Sequence, residues 1–121
     1  MLSFLRRAFR KPLEVHRRPK IEFLGEQDGP PERLLKDALR EAFTNDAGVE
    51  RAYLVRVNYG DASRHNVALF VRCPEDARVV RVVGEHFAKL FGREQHLDIG
   101  FLDDAQEAEI RRVAVPFFVR A

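Results

Sequence analysis

The apolar positions of this chain change period from one segment to the next, and those changes outline its elements. At the start, Leu2, Leu5, Phe9 and Leu13 recur at helical spacing, with Phe4 and Ala8 flanking the stripe. Arg6, Arg7, Arg10 and Lys11 lie beside or opposite it. The pattern predicts a short basic amphipathic helix that stops near Lys11–Pro12. "HRRPK" then reads as an exposed linker ending at Lys20. "IEFLGE" places Ile21 and Phe23 on one face of a short strand, and "QDGPPE" is a turn whose prolines suit a helix start. Leu34, Leu35, Ala38, Leu39, Ala42 and Phe43 follow with the period of a helix, which stops at "TNDAG".

Alternation takes over at "VERAYLVRVNYG". Tyr53, Val55, Val57 and Tyr59 share one face, while Leu54, Arg56 and Asn58 share the other. "YGDASRHN" is a loop and "VALFVRC" a return strand, so the two strands are expected to pair antiparallel. Pro74 ends that strand. A helix is predicted from about Glu75 to Phe91, with Val79, Val80, Val83, Phe87, Leu90 and Phe91 inward and Gly92 as its stop. Leu97, Ile99 and Phe101 then alternate with Asp98, Gly100 and Leu102, as in a strand. Ala105 to Val113 reads as a short helix with Ala108 and Ile110 to Val113 inward, and "VPFFVR" as a strand or docked apolar tail.

The resulting order, β-α-β-β-α-β-α-β, predicts an α+β fold in which helices cover a mixed, mainly antiparallel sheet. The amphipathic helix precedes it. The first six elements follow the ferredoxin-like order, although order alone does not fix topology. Two regions result: a basic tail and linker over residues 1–20, and an α+β domain over residues 21–121.

Length and composition agree with a single soluble domain. A chain of 121 residues buries roughly two-thirds of its unfolded surface without staples. No apolar run approaches the ~20 residues of a membrane span. Cys73 is the one cysteine, so neither an internal disulfide nor a cysteine zinc cluster is available. Arg6, Arg7 and Arg10 interrupt the apolar start, which rules out a secretory signal core. The cytoplasm is the expected compartment, with peripheral attachment at the inner membrane as the alternative.

Charge sharpens the division of the chain. The formal net charge is +2, but residues 1–20 carry seven Lys/Arg and one acid, a net of +6. Residues 21–121 therefore carry a net of −4. A mildly acidic body makes nucleic acid an unlikely partner. The tail, through Phe4, Arg6, Arg7, Phe9, Arg10 and Lys11, is the candidate interaction surface. It suits a protein partner, self-association, or an anionic membrane surface, where one short helix binds weakly without a second signal.

Candidate chemistry is sparse. "LDIGFLDDAQEAE" holds Asp98, Asp103, Asp104, Glu107 and Glu109. Asp104 and Glu107 have capping-box spacing at the start of a helix, and Asp103 can share the cap. Asp98, a lone charge inside a strand, either faces water or lines a groove. Ser63 with His65 has no strained elbow around it, Cys73 reads as an ordinary strand-end thiol, and the four histidines show no paired metal spacing. The scattered glycines form no phosphate-binding motif. Tyr53 and Tyr59 read as packing against helices rather than as a base-stacking strip. No catalytic, metal or cofactor-binding residue is assigned.

Several phrases in order carry a resemblance: "FLGEQDGPPERLLKDALREAF", "GVERAYLVRV", "HLDIGFLDD" and "VPFF". Across residues 21–119 they resemble the C-terminal domain of the enhanced serine sensitivity protein SseB family of bacteria. The resemblance implies a growth phenotype rather than a reaction, and it carries no established catalytic residue. Asp98 and Phe117 match recurring positions. Family members commonly have an N-terminal domain ahead of this one, where residues 1–20 stand here. The expectation is a non-enzymatic interaction or regulatory module of the bacterial cytoplasm. The alternatives are a small-molecule-binding or enzymatic domain with a groove near Asp98, and a peripheral membrane protein docking through residues 1–13.

Overall fold

The computed structural model describes residues 21–45, 48–60, 66–92 and 95–121. The predicted tail helix, its candidate interaction residues, and Ser63 and His65 lie outside the described residues. The element order matches the expectation: β1 (Glu22–Glu26), α1 (Pro30–Asn45), β2 (Arg51–Asn58), β3 (Asn66–Arg72), α2 (Ala77–Phe91), β4 (Asp98–Phe101), α3 (Asp104–Ile110) and β5 (Phe118–Val119).

The sheet runs β1-β2-β3-β4, with β5 also paired to β2. The β2–β3 hairpin is antiparallel from Arg51↔Arg72 to Val57↔Asn66. β4 joins β3 in parallel, after the α2 crossover. β1 and β5 share one edge of β2: β1 pairs with Val55 to Asn58, and β5 with Arg51 and Ala52. Because β1 lies directly beside β2 and antiparallel to it, the split βαβ arrangement that the element order also allows does not form.

Strand alternation divides the core in two. Ala52, Leu54, Leu69, Val71 and Ile99 face α1 and α2, where they pack with Leu35, Leu39, Phe43, Val79 and Val83. Tyr53, Val55, Val57, Ala68 and Phe70 face the other way, against Leu102, Ile110 and Ala114. Each large apolar side chain so buried contributes about 1.5–3 kcal/mol. In the two long helices, two expected core residues fall outside: Leu34 and Leu90 are exposed. Each lies at the margin of its helix's apolar stripe, and the sheet is contacted only by the centre of that stripe.

Local chemistry fixes the helix ends. Asp76 caps α2 by accepting from the Arg78 amide, and Gly92 ends it at φ 83°, a conformation that favours glycine. Lys36 is buried on α1, where Nζ reaches Glu26 at 3.2 Å and Asp28 at 3.0 Å. Hydrogen bonds from Arg33 and Lys36 hold the Asp28 carboxyl below its ordinary pKa. Arg120 closes the chain by donating to the carbonyls of Val49 and Phe43.

Candidate functional site

The second face of the sheet is packed by α3, which is seven residues long, and by the turn after it. Two polar clusters lie on this face. In the first, Arg51 of β2 and Arg72 of β3 are directly paired across the hairpin. Glu107 of α3 meets them from above. Arg51 donates from Nε at 2.5 Å and from Nη2 at 2.8 Å to the two Glu107 oxygens, and Tyr53 donates to Oε2 at 2.6 Å. Arg72 also bonds Asp104. These Arg51 and Tyr53 bonds outweigh the burial of Glu107 and hold its pKa down at about 2. Burial first, and Glu107 second, push the Tyr53 phenol up to about 12. The cluster is a clamp that pins α3 to the sheet.

The clamp corrects the expected capping box. Asp103, not Asp104, is the N-cap of α3: it accepts from the Gln106 amide at 2.8 Å, and Gln106 Oε1 accepts from the Asp103 amide at 3.0 Å. The one-residue shift frees Glu107 to turn inward. The expected inward set of α3 changes with it. Glu107, Ile110 and Ala114 are buried, while Ala108 and Val113 are exposed. A sequence signal for this was present, since Glu107, Ile110 and Ala114 have helical spacing and two strand arginines were available to a buried acid.

Asp98 anchors the second cluster. Ile99 and Phe101 turn to the α1/α2 core, so alternation places Asp98 and Gly100 on the α3 side. Asp98 Oδ2 accepts from the Tyr59 hydroxyl at 2.8 Å, and Oδ1 lies 2.5 Å from His96 Nε2. Its side chain is 21 % exposed and that of His96 56 %. Burial acts to raise the Asp98 pKa. The bonds from His96 and Tyr59 more than offset this, so the net shift is downward and the group is an ionised carboxylate. Beside it Phe70 lies across Gly100, where any Cβ would stand 2.6 Å from the ring, and Phe23 meets Phe70 edge-on at 5.2 Å.

The same side of the molecule holds a cavity of about 620 Å³. β1 and the residue before it supply Ile21, Glu22 and Phe23; the end of β2 supplies Asn58 and Gly60; α3 and the turn after it supply Glu109, Arg112 and Val113. Asp98 and His96 do not line this recess, which lies at the β1 edge of the sheet; the Asp98 cluster offers a fixed anion and an imidazole. It suits recognition of a cationic or hydrogen-bond-donating group.

Other sequence candidates are accounted for by packing. Tyr53 is fully buried and Tyr59 is held by Asp98. His86 Nδ1 lies 2.9 Å from the Val82 carbonyl oxygen of its own helix. Cys73 is half-buried at the end of β3. Among the described residues, no group of three or more His, Cys, Asp or Glu could hold a metal ion, and no helix is long and apolar enough to cross a membrane.

Neither the curated proteins nor the solved structures include a match to this chain. The family model of the SseB protein C-terminal domain does match, over residues 23–120. That span runs from Phe23 in β1 to Arg120 beyond β5, and so takes in every element of the sheet, the Glu107 clamp and the Asp98 cluster. The chain therefore belongs to the SseB C-terminal domain family.

Proposed function

We propose that this domain is an interaction or regulatory module of the bacterial cytoplasm rather than an enzyme. Its working surface is the region around Asp98, together with the basic segment that precedes β1. The observation that carries the reading is the setting of Asp98. An ionised carboxylate, fixed by Tyr59 and His96, keeps 21 % of its side chain exposed at the surface of the domain. Such a group suits contact with a basic partner.

The test uses the full chain as bait in its native lysate, beside Asp98→Ala and a variant with Arg6, Arg7, Arg10 and Lys11 changed to Glu. A partner held by the full chain and lost by either variant supports the module. Turnover of a metabolite that Asp98→Ala abolishes would count decisively against it. The recess of about 620 Å³ favours one alternative, a small-molecule-binding domain. A reproducible upward thermal shift with an amino acid, nucleotide or divalent metal would favour that alternative.

A further inference from the structure

We infer that the outer edge of β4 is a pairing site for an extended basic peptide, which adds to the sheet as a further strand and sets a Lys or Arg beside Asp98. The inference deepens the module reading. It rests on that reading for the existence of a partner and names how the partner is held.

β4 ends the path of the sheet: it pairs with β3 on one side, and no described strand pairs with the other. The register fixes which backbone groups face out. Phe101 is aligned with Val71, and the Leu102 amide donates to the Val71 carbonyl at 2.9 Å. In a parallel ladder, alternate residues turn both N–H and C=O to the same neighbour. Asp98, Gly100 and Leu102 therefore turn theirs to β3, and Ile99 and Phe101 turn theirs outward. The Ile99 side chain fills the α1/α2 core, so an added strand uses its backbone alone.

The strands at the opposite edge are guarded. β1 has a register shift between Phe23 and Gly25 and an exposed glutamate at each end, and β5 is two residues long. Bulges, charges and shortness keep an edge from pairing with another chain. β4 is also short, but its register with β3 is unbroken from Asp98 to Phe101.

Asp98 sets the chemistry of the occupant. Its carboxylate is ionised and 21 % exposed. Tyr59 and His96 each engage one of its oxygens, whereas an ionised carboxylate offers about four acceptor sites. A neighbouring strand brings a side chain to about 5 Å, from where an ammonium or guanidinium reaches the remaining sites. Residues one step along the added strand fall on the other face, beside Ile99 and Phe101, where apolar side chains fit. The occupant therefore alternates basic and apolar residues. A second copy of β4 fits less well, because its one charged residue is the same Asp98.

The test is amide hydrogen exchange in the isotope-labelled full chain, with three short peptides as probes. One alternates Lys and Val, one is the same peptide N-methylated along its backbone, and one has Glu in place of Lys. In the free chain the Ile99 and Phe101 amides should exchange faster than those of Gly100 and Leu102. With the Lys–Val peptide at about nine times its Kd, exchange at Ile99 and Phe101 should slow about tenfold. The N-methylated and Glu–Val peptides should give no slowing. Asp98→Asn, which keeps the shape and removes the charge, should lose most of it.

Equal slowing by the N-methylated or the Glu–Val peptide overturns the inference, as does slowing that Asp98→Asn leaves unchanged. So does an edge already protected in the free chain. Protection that falls on dilution then identifies a second copy as the occupant, and protection that persists identifies the chain itself. The peptides are supplied, so the outcome does not depend on capture from a lysate. A failed capture leaves the pairing edge standing, and peptides that leave Ile99 and Phe101 unprotected leave the module reading standing.

Discussion

Glu107 is a carboxylate at 7 % exposure with Arg51 and Tyr53 fixed on it, and its folded pKa of about 2 makes stability depend on pH. The folded value lies below the ordinary 4.5, so the folded state binds the proton less tightly than the unfolded chain does. The stabilisation is therefore complete above about pH 4.5 and is lost as pH falls through about 2. A shift of this size corresponds to about 3 kcal/mol. Glu107→Gln should lower the urea-unfolding free energy by about that amount at pH 7, and the gap to the parent should close as the buffer is taken toward pH 2. A gap that persists unchanged in acid would mean that Glu107 acts by shape alone. At the alkaline end the sign is reversed. Tyr53 is raised from 10 to about 12, so the parent should lose stability as pH rises from 10 toward 12, and Tyr53→Phe should remove that loss.

At the scale of elements, the caps and crossings decide what each segment presents. α3 is capped by Asp103, and Asp103→Ala should cost about 1 kcal/mol, read as a lower melting temperature with the fold retained. β4 depends on Gly100 because the Phe70 ring lies where a Cβ would stand, 2.6 Å away, and Phe23 meets that ring at 5.2 Å. Gly100→Ala should therefore destabilise by about 1–3 kcal/mol through overpacking. Adding Phe70→Leu should return part of that loss, since the obstacle is a side chain and not backbone. The hairpin and both long helices were legible in the sequence, because alternation at Tyr53, Val55 and Val57 and the helical stripe of Leu35, Leu39 and Phe43 reflect local periods. The inward turn of Glu107 was less legible. An acid near a helix start satisfies capping and clamping patterns equally well, and only the position of Arg51 and Arg72 separates them.

At the scale of the molecule, the chain divides into a basic segment of net +6 and a body of net −4, and the recess between β1 and α3 lies where the two join. If the segment works by charge as well as by its apolar stripe, its contacts should weaken with salt, since exposed charges are screened over about 8 Å at physiological ionic strength. Partner capture by the full chain should accordingly fall between low and high salt, and should fall less once Arg6, Arg7, Arg10 and Lys11 are replaced by Glu. Asp98 marks how far sequence reading reaches for the candidate site. Its place inside an alternating strand showed that it was unusual. Nothing along the chain tied it to Tyr59, which arrives from the end of β2, 39 residues away.

By itself the sequence determined the class of fold, the order of its elements and the family, because these rest on local period, turn chemistry and the order of short phrases. It also determined the charge division, which is a matter of composition. Only the tertiary structure decided that β1 lies beside β2, that β5 completes the same edge, that Leu34 and Leu90 remain outside the core, and that Asp98 and Glu107 are each held by partners from distant strands. Those outcomes depend on which surfaces meet in space. Strand pairing and buried ion pairs join residues far apart in the chain, and a local pattern carries no record of which distant group will arrive.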